Sequence, residues 1–413
     1  MRYLSLNIEK DQKKVYQHEI KQSNLKLAFD LIRNGVCTSR SDLAREMKLS
    51  ATAVSSLTDE LIRQDLVVET GLIHADTPGR RPMNIKINES ARQIAVFSLS
   101  FDESCFTLYD LAFNVIEDIS FSHTDKVSRG ECRGCEYIAL FKDVLLNRSE
   151  KLDREKLLCI CISFPGVCLT GDHFFTARTS LDEVVRPDMI EEFTRNIGAP
   201  VFIANRSMCM AYAEKKHMEE QGEAADNLIF VNISDYVGSA LISGGNIFAG
   251  ANDTAGDIGH IRAGSEGRPC ACGGTDCLHH YLSLQVLLQD AQDACREDGQ
   301  SCPADFDELA AQYGTNPSVD RVITSAAERF ADALATLIYV SATDRIVVSG
   351  GISKLGEKFL QAVSNRLNRM VYARCHSITY AQTDDECGSR GIGQYLLDKT
   401  DEIVANHFRG SRK

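Results

Sequence analysis

The sequence predicts a small helical head followed by a larger α/β body, and three observations support this prediction. Short helices with capping residues lie between residues 24 and 64, and two strands follow them. From Gln93 onward, apolar strands alternate with helices, which is typical of an α/β fold. A chain of 413 residues also exceeds one ordinary core, so two or three domains are expected.

The composition is that of a soluble, reduced protein. Hydrophobic residues make up 44% of the chain and charged residues 25%, and no apolar run approaches the ~20 residues of a membrane helix. The residues after Met1 do not form an apolar signal core. The 15 cysteines do not resemble a disulfide scaffold, so most are expected to be buried free thiols. We therefore expect a cytoplasmic protein with no membrane partner.

The charge is unevenly distributed along the chain. The net charge is −13, but residues 1–85 contain 13 Lys and Arg against 11 Asp and Glu, whereas the remainder contains 32 against 47. A slightly basic head on an acidic body is consistent with a head that binds DNA.

Three helices are predicted in the head. Ser23 caps the first, and Ser39 opens the second, where the carboxylate of Asp42 reaches back to the Ser39 amide. Ser50 caps the third helix, over residues 51–64. The beginning of this helix presents small polar residues, which let a helix approach the major groove of DNA closely. The predicted DNA contacts from the helices are Ser39, Arg40, Ala51, Thr52, Ser55 and Ser56.

A hairpin follows the helices. Strands are predicted at 66–68 and 83–87, and the connection between them carries Arg80 and Arg81. Paired arginines at the tip of a turn suit contact with phosphate or the minor groove. Together these elements predict a winged helix-turn-helix domain over residues 1–88. A generic helical bundle with a solvated basic turn is the alternative.

The body begins with three strands in meander order. Strands are predicted at 94–99, 105–110 and from 114, an opening found in many actin-like and sugar-kinase-like ATPase folds. Later strands and helices alternate, and several strands end at Gly or Asn, which indicates a cleft at the carboxyl ends of the strands. The later strands are predicted at 157–163, 201–204, 228–233 and 345–349, and the helices at 207–218, 283–296 and 318–342.

Two motifs of the body are specific: Gly256-Asp257-Ile258-Gly259-His260 and the cysteine cluster over residues 270–277. Together they resemble the ROK family of repressors and sugar kinases. Residues 205–214, 164–166 and 349–351, and the head with its Gly79-Arg80-Arg81-Pro82 wing, fit the same pattern. The resemblance covers the chain from about residue 24 onward.

The resemblance implies a two-lobed body with a sugar-kinase-like, ribonuclease H-like ATPase fold. The first lobe is expected over residues 89–206, completed by a C-terminal helix over 391–408. The second lobe is expected over 207–390 and holds a metal site.

One imidazole and three thiolates form a candidate zinc site. His260, Cys270, Cys272 and Cys277 suit tetrahedral Zn²⁺, and four protein ligands leave no open position, so the site is expected to be structural. The resemblance implies zinc at the same four residues. The alternatives are ordinary buried cysteines, a redox site, or competition from His279 and His280 as ligands.

Phosphoryl transfer is not expected, and neither is ATP as a cofactor. Where the family's kinases have a glycine-rich first hairpin, residues 97–102 contain no glycine, and the second phosphate loop reads Ser234-Asp235-Tyr236-Val237-Gly238. Where the family's catalytic Asp follows an Asn, Arg206 follows Asn205, and a guanidinium cannot accept a proton. No residue is therefore predicted to be catalytic.

The resemblance implies a sugar or sugar derivative in the cleft between the lobes. Two positions at which the family has carboxylates are occupied by Arg206 and His279. This exchange favours an acidic ligand, such as a sugar acid or sugar phosphate. An Arg206–Asp257 ion pair that fills a dead site, or a neutral sugar, are the alternatives. The predicted ligand contacts are Asn205, Arg206, Asp257, His260 and His279.

These predictions favour a DNA-binding transcriptional regulator, in particular a repressor, with operator DNA and a sugar or sugar-acid effector as its partners. Because two heads must meet two half-sites, a homodimer or homotetramer is expected. The rival hypotheses are a sugar kinase with a fused DNA-binding head, and a repressor that a protein partner controls.

Overall fold

The computed structural model describes residues 20–72, 83–99, 103–122, 134–164, 187–250, 255–270, 272–343, 345–370, 377–383, 390–395 and 397. Among these residues, no helix is both long and apolar enough to cross a membrane.

The head consists of three helices and a two-stranded antiparallel sheet. The helices are α1 (20–33), α2 (Arg40–Met47) and α3 (Ala51–Arg63), and the strands are β1 (Val67–Leu72) and β2 (Met83–Ile87). A tight turn joins α2 to α3, with Lys48 in the left-handed region at φ +53°.

Two of the three predicted helix caps are confirmed. The Ser39 hydroxyl accepts a hydrogen bond from the Asp42 amide at 3.1 Å, and the Ser50 hydroxyl accepts one from the Ala53 amide at 3.2 Å. The Asp42 carboxylate accepts from the Ser39 hydroxyl at 2.7 Å, rather than from its amide. The prediction for Ser23 was wrong, because α1 already includes residues 20–22 and Ser23 lies inside it. Serine costs a helix interior little, so capping preference alone does not fix a helix start.

The first lobe contains a mixed five-stranded sheet in the order β5-β4-β3-β6-β7. The meander β3–β4–β5 is antiparallel, whereas β6 and β7 run parallel to β3. This arrangement confirms the predicted opening. The elements are β3 (Gln93–Ser98), β4 (Glu103–Asp110), β5 (Val115–Ser122), α4 (Gly134–Asp143), a π-helical turn (Val144–Arg148), β6 (Leu157–Phe164), α5 (Pro187–Ile197), β7 (Val201–Asn205) and α6 (Arg206–Glu220).

The second lobe contains another five-stranded sheet, in the order β10-β9-β8-β11-β12. The strands β8, β11 and β12 are parallel, and the hairpin β8–β9–β10 is antiparallel. The elements are β8 (Leu228–Ile233), β9 (Val237–Ser243), β10 (Asn246–Ile247), α7 (His279–Leu282), α8 (Leu284–Glu297), α9 (Phe306–Gln312), α10 (Pro317–Ser341), β11 (Arg345–Ser349), α11 (Glu357–Leu367) and β12 (Ser377–Tyr380).

Helix α6 and a terminal helix, α12 (390–395), pack between the two sheets. A Cβ atom at Gly391 would lie 2.5 Å from the Cβ of Ala213 in α6, and one at Gly393 would lie 2.7 Å from the Phe113 ring of the first lobe. The chain thus returns to the first lobe at α12. The remainder of the predicted helix over 391–408, apart from residue 397, lies outside the described residues.

A buried carboxylate ties α6 to the second sheet. Glu214 is 2% exposed, and it accepts hydrogen bonds from the Gln382 amide at 3.0 Å and from the amide and hydroxyl of Thr383 at 3.0 and 2.6 Å. Residues 382–383 follow β12, so this interaction holds the inner helix against the edge of the second lobe.

Replacing this carboxylate tests its contribution. We expect Glu214→Gln to lower the free energy of unfolding by about 1–3 kcal/mol, because the amide donor of Gln would meet N–H and O–H donors that need an acceptor. Urea denaturation measures the change. Glu220→Gln, at an exposed position of the same helix, is the matched control. Equal stabilities for the two variants would contradict the role of Glu214.

Candidate metal centre, ligand cleft and DNA-binding surface

Four candidate metal ligands converge on one loop of the second lobe. The ligand atoms of His260, Cys270, Cys272 and Cys277 all lie within 4.8 Å of one another. His260 ends a short 3₁₀ turn, and an isolated bridge between Pro269 and Thr275 folds the cysteine loop back on itself.

The distances between these atoms suit a tetrahedral ion. The sulfur atoms of Cys272 and Cys277 are 3.5 Å apart, and Cys270 Sγ lies 3.5 Å from His260 Nδ1. Zinc bonds of 2.0–2.3 Å place tetrahedral ligand atoms about 3.3–3.8 Å apart. The residues present therefore fit a zinc ion, and the soft thiolates favour zinc over magnesium or calcium.

Two glycines shape the cysteine loop. Gly273 has φ +90°, a conformation that side-chain-bearing residues rarely adopt, and the Gly274 amide donates to Cys272 Sγ at 3.4 Å. This hydrogen bond lowers the pKa of the Cys272 thiol, whereas burial raises that of Cys277 to about 12. An amide that donates to sulfur stabilises the thiolate form, which is the form that binds metals.

A buried polar network, which the sequence did not predict, supports the cysteine loop. Asp276 is fully buried at φ +58°, and its carboxylate accepts from the Arg268 amide at 2.9 Å and the Tyr281 hydroxyl at 2.6 Å. The guanidinium groups of Arg268 and Arg329 lie 4.5 and 4.2 Å from the centre of the Tyr281 ring. No spacing rule predicts this arrangement, because Arg329 comes from α10, far along the chain.

The structure also brings His279 and His280 to the cysteine loop, residues 270–277. Their side chains form a second group of potential ligands with Cys270, whose sulfur lies 3.2 Å from His279 Nε2. Burial, with the neighbouring imidazoles His280 and His260, lowers the pKa of His279 to about 4.

The predicted ligand contacts meet near the beginning of β9. A Cβ atom at Gly259 would lie 2.3 Å from the Val237 carbonyl oxygen, and one at Gly238 would lie 2.4 Å from the hydroxyl of Ser207 in the first turn of α6. The segment with Asp257 and His260, and the α6 end with Asn205 and Arg206, therefore both approach residues 237–238.

Individual side chains at this junction have defined partners. Asn205 caps α6 by accepting from the Met208 amide at 3.2 Å, and Arg206 donates to the Leu99 carbonyl at 3.2 Å. Asp257 Oδ2 lies 3.9 Å from His260 Nε2, and burial raises the pKa of Asp257. In the described part of the chain, Asp257 and Arg206 form no ion pair. The alternative in which an Arg206–Asp257 ion pair fills a dead site is therefore not seen there.

Two side chains of residues 234–238, the segment compared above with the second phosphate loop of the family's kinases, have defined contacts. The Ser234 hydroxyl accepts a hydrogen bond from the Gly351 amide at 3.4 Å, at the glycine turn that follows β11. The Tyr236 ring stacks against His279, with 6.3 Å between ring centres. Of the first hairpin, positions 100–102 lie outside the described residues.

In the head, the beginning of α3 is open to solvent. Ala51, Thr52 and Ser56 are exposed and Ser55 is half-buried. Ser39 is buried as the cap of α2. Arg40 pairs with Asp59 at 2.7 Å and Glu69 at 3.0 Å, contacts that the sequence did not predict. Arg80 and Arg81 lie outside the described residues.

Comparison with known proteins agrees with this architecture. The chain is 25% identical over 365 residues to the xylose repressor of Caldicellulosiruptor bescii, covering 85% of this chain and 88% of the relative. It is 23% identical to the DNA-binding transcriptional repressor Mlc of Escherichia coli, covering 85% and 86%, and 24% identical to the Escherichia coli dual regulator NagC, covering 84% and 85%.

Solved structures share the fold. A ROK family transcriptional regulator, described as a homologue of E. coli Mlc, superimposes with a TM-score of 0.78 at 22% identity, covering 95% of this chain and all of that one. A ROK glucokinase from Streptomyces griseus has a TM-score of 0.59 at 18% identity, covering 73% of this chain and 98% of the kinase. The ROK family model matches residues 143–399, which is more than half of the sequence. The chain therefore belongs to the ROK family.

Proposed function

We propose that the chain is a DNA-binding transcriptional repressor whose sugar-kinase-like body binds a sugar derivative and thereby changes its affinity for operator DNA. One observation carries the proposal: a head of three helices, the third of which exposes small polar residues at its beginning, precedes the residues that match the ROK family. Relatives that align over most of their own length are named xylose repressor, N-acetylglucosamine repressor and DNA-binding transcriptional repressor Mlc.

The head, residues 1–88, is the proposed DNA-binding domain. The exposed beginning of α3 suits the major groove, and the wing arginines Arg80 and Arg81 suit phosphate or the minor groove. In the structure Ser39 already serves as a helix cap and Arg40 is paired, so we assign base-edge contacts to Ala51, Thr52, Ser55 and Ser56. Two heads in a homodimer or homotetramer would meet two half-sites.

We infer that the body transfers no phosphoryl group. Phosphoryl transfer needs backbone amides around the phosphates and a carboxylate for the acceptor hydroxyl. Three observations support this inference: the Gly351 amide donates to the Ser234 hydroxyl, the Tyr236 ring in the second loop stacks on His279, and Arg206 follows Asn205 where the resemblance places the base.

The proposed ligand is a sugar acid or a sugar phosphate that binds between the two lobes. We assign the first lobe to residues 89–206 together with residues 391–408, and the second lobe to residues 207–390. Arg206 would pair with its anionic group, and Asn205, Asp257, His260 and His279 would contact the remainder. Binding would act by a population shift, in which lobe closure changes the spacing of the two heads.

We assign a structural zinc ion to His260, Cys270, Cys272 and Cys277. His260 can use Nδ1 for the metal while Nε2 faces Asp257, an arrangement in which a carboxylate orients the ligating imidazole. Bound zinc would fix the loop that carries the sugar contacts. Metal analysis tests the assignment, and a folded chain purified without metal would contradict it.

A negative charge introduced on α3 tests the proposed DNA-binding surface. We expect Thr52→Asp to weaken operator binding about 10- to 100-fold, because a carboxylate would replace a groove contact worth about 1–3 kcal/mol and repel phosphate. Fluorescence anisotropy with labelled DNA measures the change. Asp is favourable in a first helical turn, so folding should be unaffected. Thr324→Asp, exposed on α10, is the control, and equal affinities for the two variants would contradict the proposed surface.

Calorimetric titration tests the ligand class. A hexuronate or hexose phosphate is expected to bind more tightly than the neutral hexose, and Arg206→Gln is expected to weaken acid binding about 10- to 100-fold, since a charged hydrogen bond contributes about 1.5–3 kcal/mol. Arg195→Gln, on the exposed side of α5, should bind like the unmodified chain. Binding of neutral sugars alone would rule out the acidic ligand and leave DNA binding untouched.

A further inference from the structure

A second set of metal-ligating side chains shares one thiol with the proposed zinc site. The ligand atoms of Cys270, His279 and His280 lie within 4.8 Å of one another. Cys270 Sγ is 3.2 Å from His279 Nε2, against 3.5 Å from His260 Nδ1. The sulfur therefore lies between two imidazoles at similar distances, and each distance is close to the separation of ligand atoms around tetrahedral zinc.

The His280 ring has an unsatisfied position. Its Nε2 atom is buried and has no hydrogen-bond partner among the described residues. A buried polar atom without a partner costs about 1–3 kcal/mol, so native structures rarely contain one without a reason. Coordination of a metal would satisfy this nitrogen.

The fold holds these residues together. Helix α7 begins at His279, two residues after Cys277, and the rings of His279 and His280 are 3.9 Å apart between centres. The His280 amide donates to the Cys277 carbonyl at 2.9 Å, and the Arg268 guanidinium donates to the His280 carbonyl at 2.6 Å. The backbone that carries both imidazoles is thus anchored to the cysteine loop.

We propose that Cys270, His279 and His280 form a second zinc position, in which the Cys270 thiolate bridges two metal ions. The inference rests on the proposed zinc site in one respect, because Cys270 belongs to both. Three protein ligands leave the fourth position of the second ion open to water or another oxygen donor.

Charge and location indicate what the open position would bind. One zinc ion with three thiolates carries an excess negative charge, and a second divalent ion reverses that excess. The His279 ring stacks on Tyr236 of the β8–β9 turn. This imidazole therefore lies between the cysteine loop and the turn next to which the predicted ligand contacts meet. An oxygen anion, such as the carboxylate of a hydroxy acid, fits a positively charged centre with an open position.

Zinc stoichiometry tests the proposal. The full chain is stripped of metal with a chelator under reducing conditions, dialysed and titrated with Zn²⁺ by calorimetry, and bound metal is then measured by mass spectrometry. We expect two zinc ions per chain, and one per chain in His279→Ala and in His280→Ala. His217→Ala, which removes an imidazole whose partner is Gln382 instead, should keep both.

The outcomes separate the two metal assignments. One zinc ion per unmodified chain, unchanged by either histidine variant, would overturn the second position and leave the first intact. One ion whose binding is weakened by His279→Ala would also overturn it, by making His279 a ligand of a single site. A folded chain that binds no zinc would overturn both. Circular dichroism shows whether each variant is folded. Because there are two independent histidine variants, the test still holds if one of them fails to fold.

Discussion

One continuous apolar cluster joins the helical head to both lobes. It runs from Phe29 in α1, through Val96 in the first sheet and Cys209 in α6, to Phe230 in the second sheet, and it includes Ile392 of the terminal helix. Burial of this surface is favourable in proportion to its area, so the parts cannot separate without exposing it. If the angle between the lobes changes, α6 and α12 must therefore either move relative to the two sheets or pack against them differently.

One aromatic ring lies at the joint between head and body. The Arg33 guanidinium lies 5.7 Å from the centre of the Phe113 ring, and that ring is in turn the neighbour of Gly393 in α12. Phe113 has φ +63°, an uncommon conformation for an aromatic residue, which the surrounding packing must stabilise. Because α1, the first sheet and the terminal helix meet at this one ring, it offers a physical route from lobe movement to the head.

Much of the architecture was predictable because strands and helices differ in their hydrophobic period. The buried strands β8 and β11 coincide with their predicted ranges, and the meander of β3 to β5 was foreseen. The four candidate metal ligands, whose ligand atoms the fold brings together, were predictable from residue type and close spacing. Local preference failed at Ser23, where the helix simply extends further towards the N-terminus.

Long-range polar contacts could not be predicted from the sequence. Arg40 pairs with Asp59 and Glu69, which are near only after α2, α3 and β1 have packed. The carboxylate of Glu214 bonds residues more than 160 positions away. No periodic pattern encodes such pairs, because they depend on how whole elements are placed. The shared position of Cys270 between two sets of ligands is likewise a property of the folded loop.

DNA binding across a salt series tests the central claim most directly. The purified protein would be titrated against DNA from upstream of its own gene and against unrelated DNA of equal length. A repressor that contacts 6–10 phosphates should prefer the first fragment and lose about 10³- to 10⁵-fold in affinity between about 50 and 200 mM salt. Equal affinity for both fragments at every salt concentration would contradict the account. The head would then have a role other than specific DNA binding.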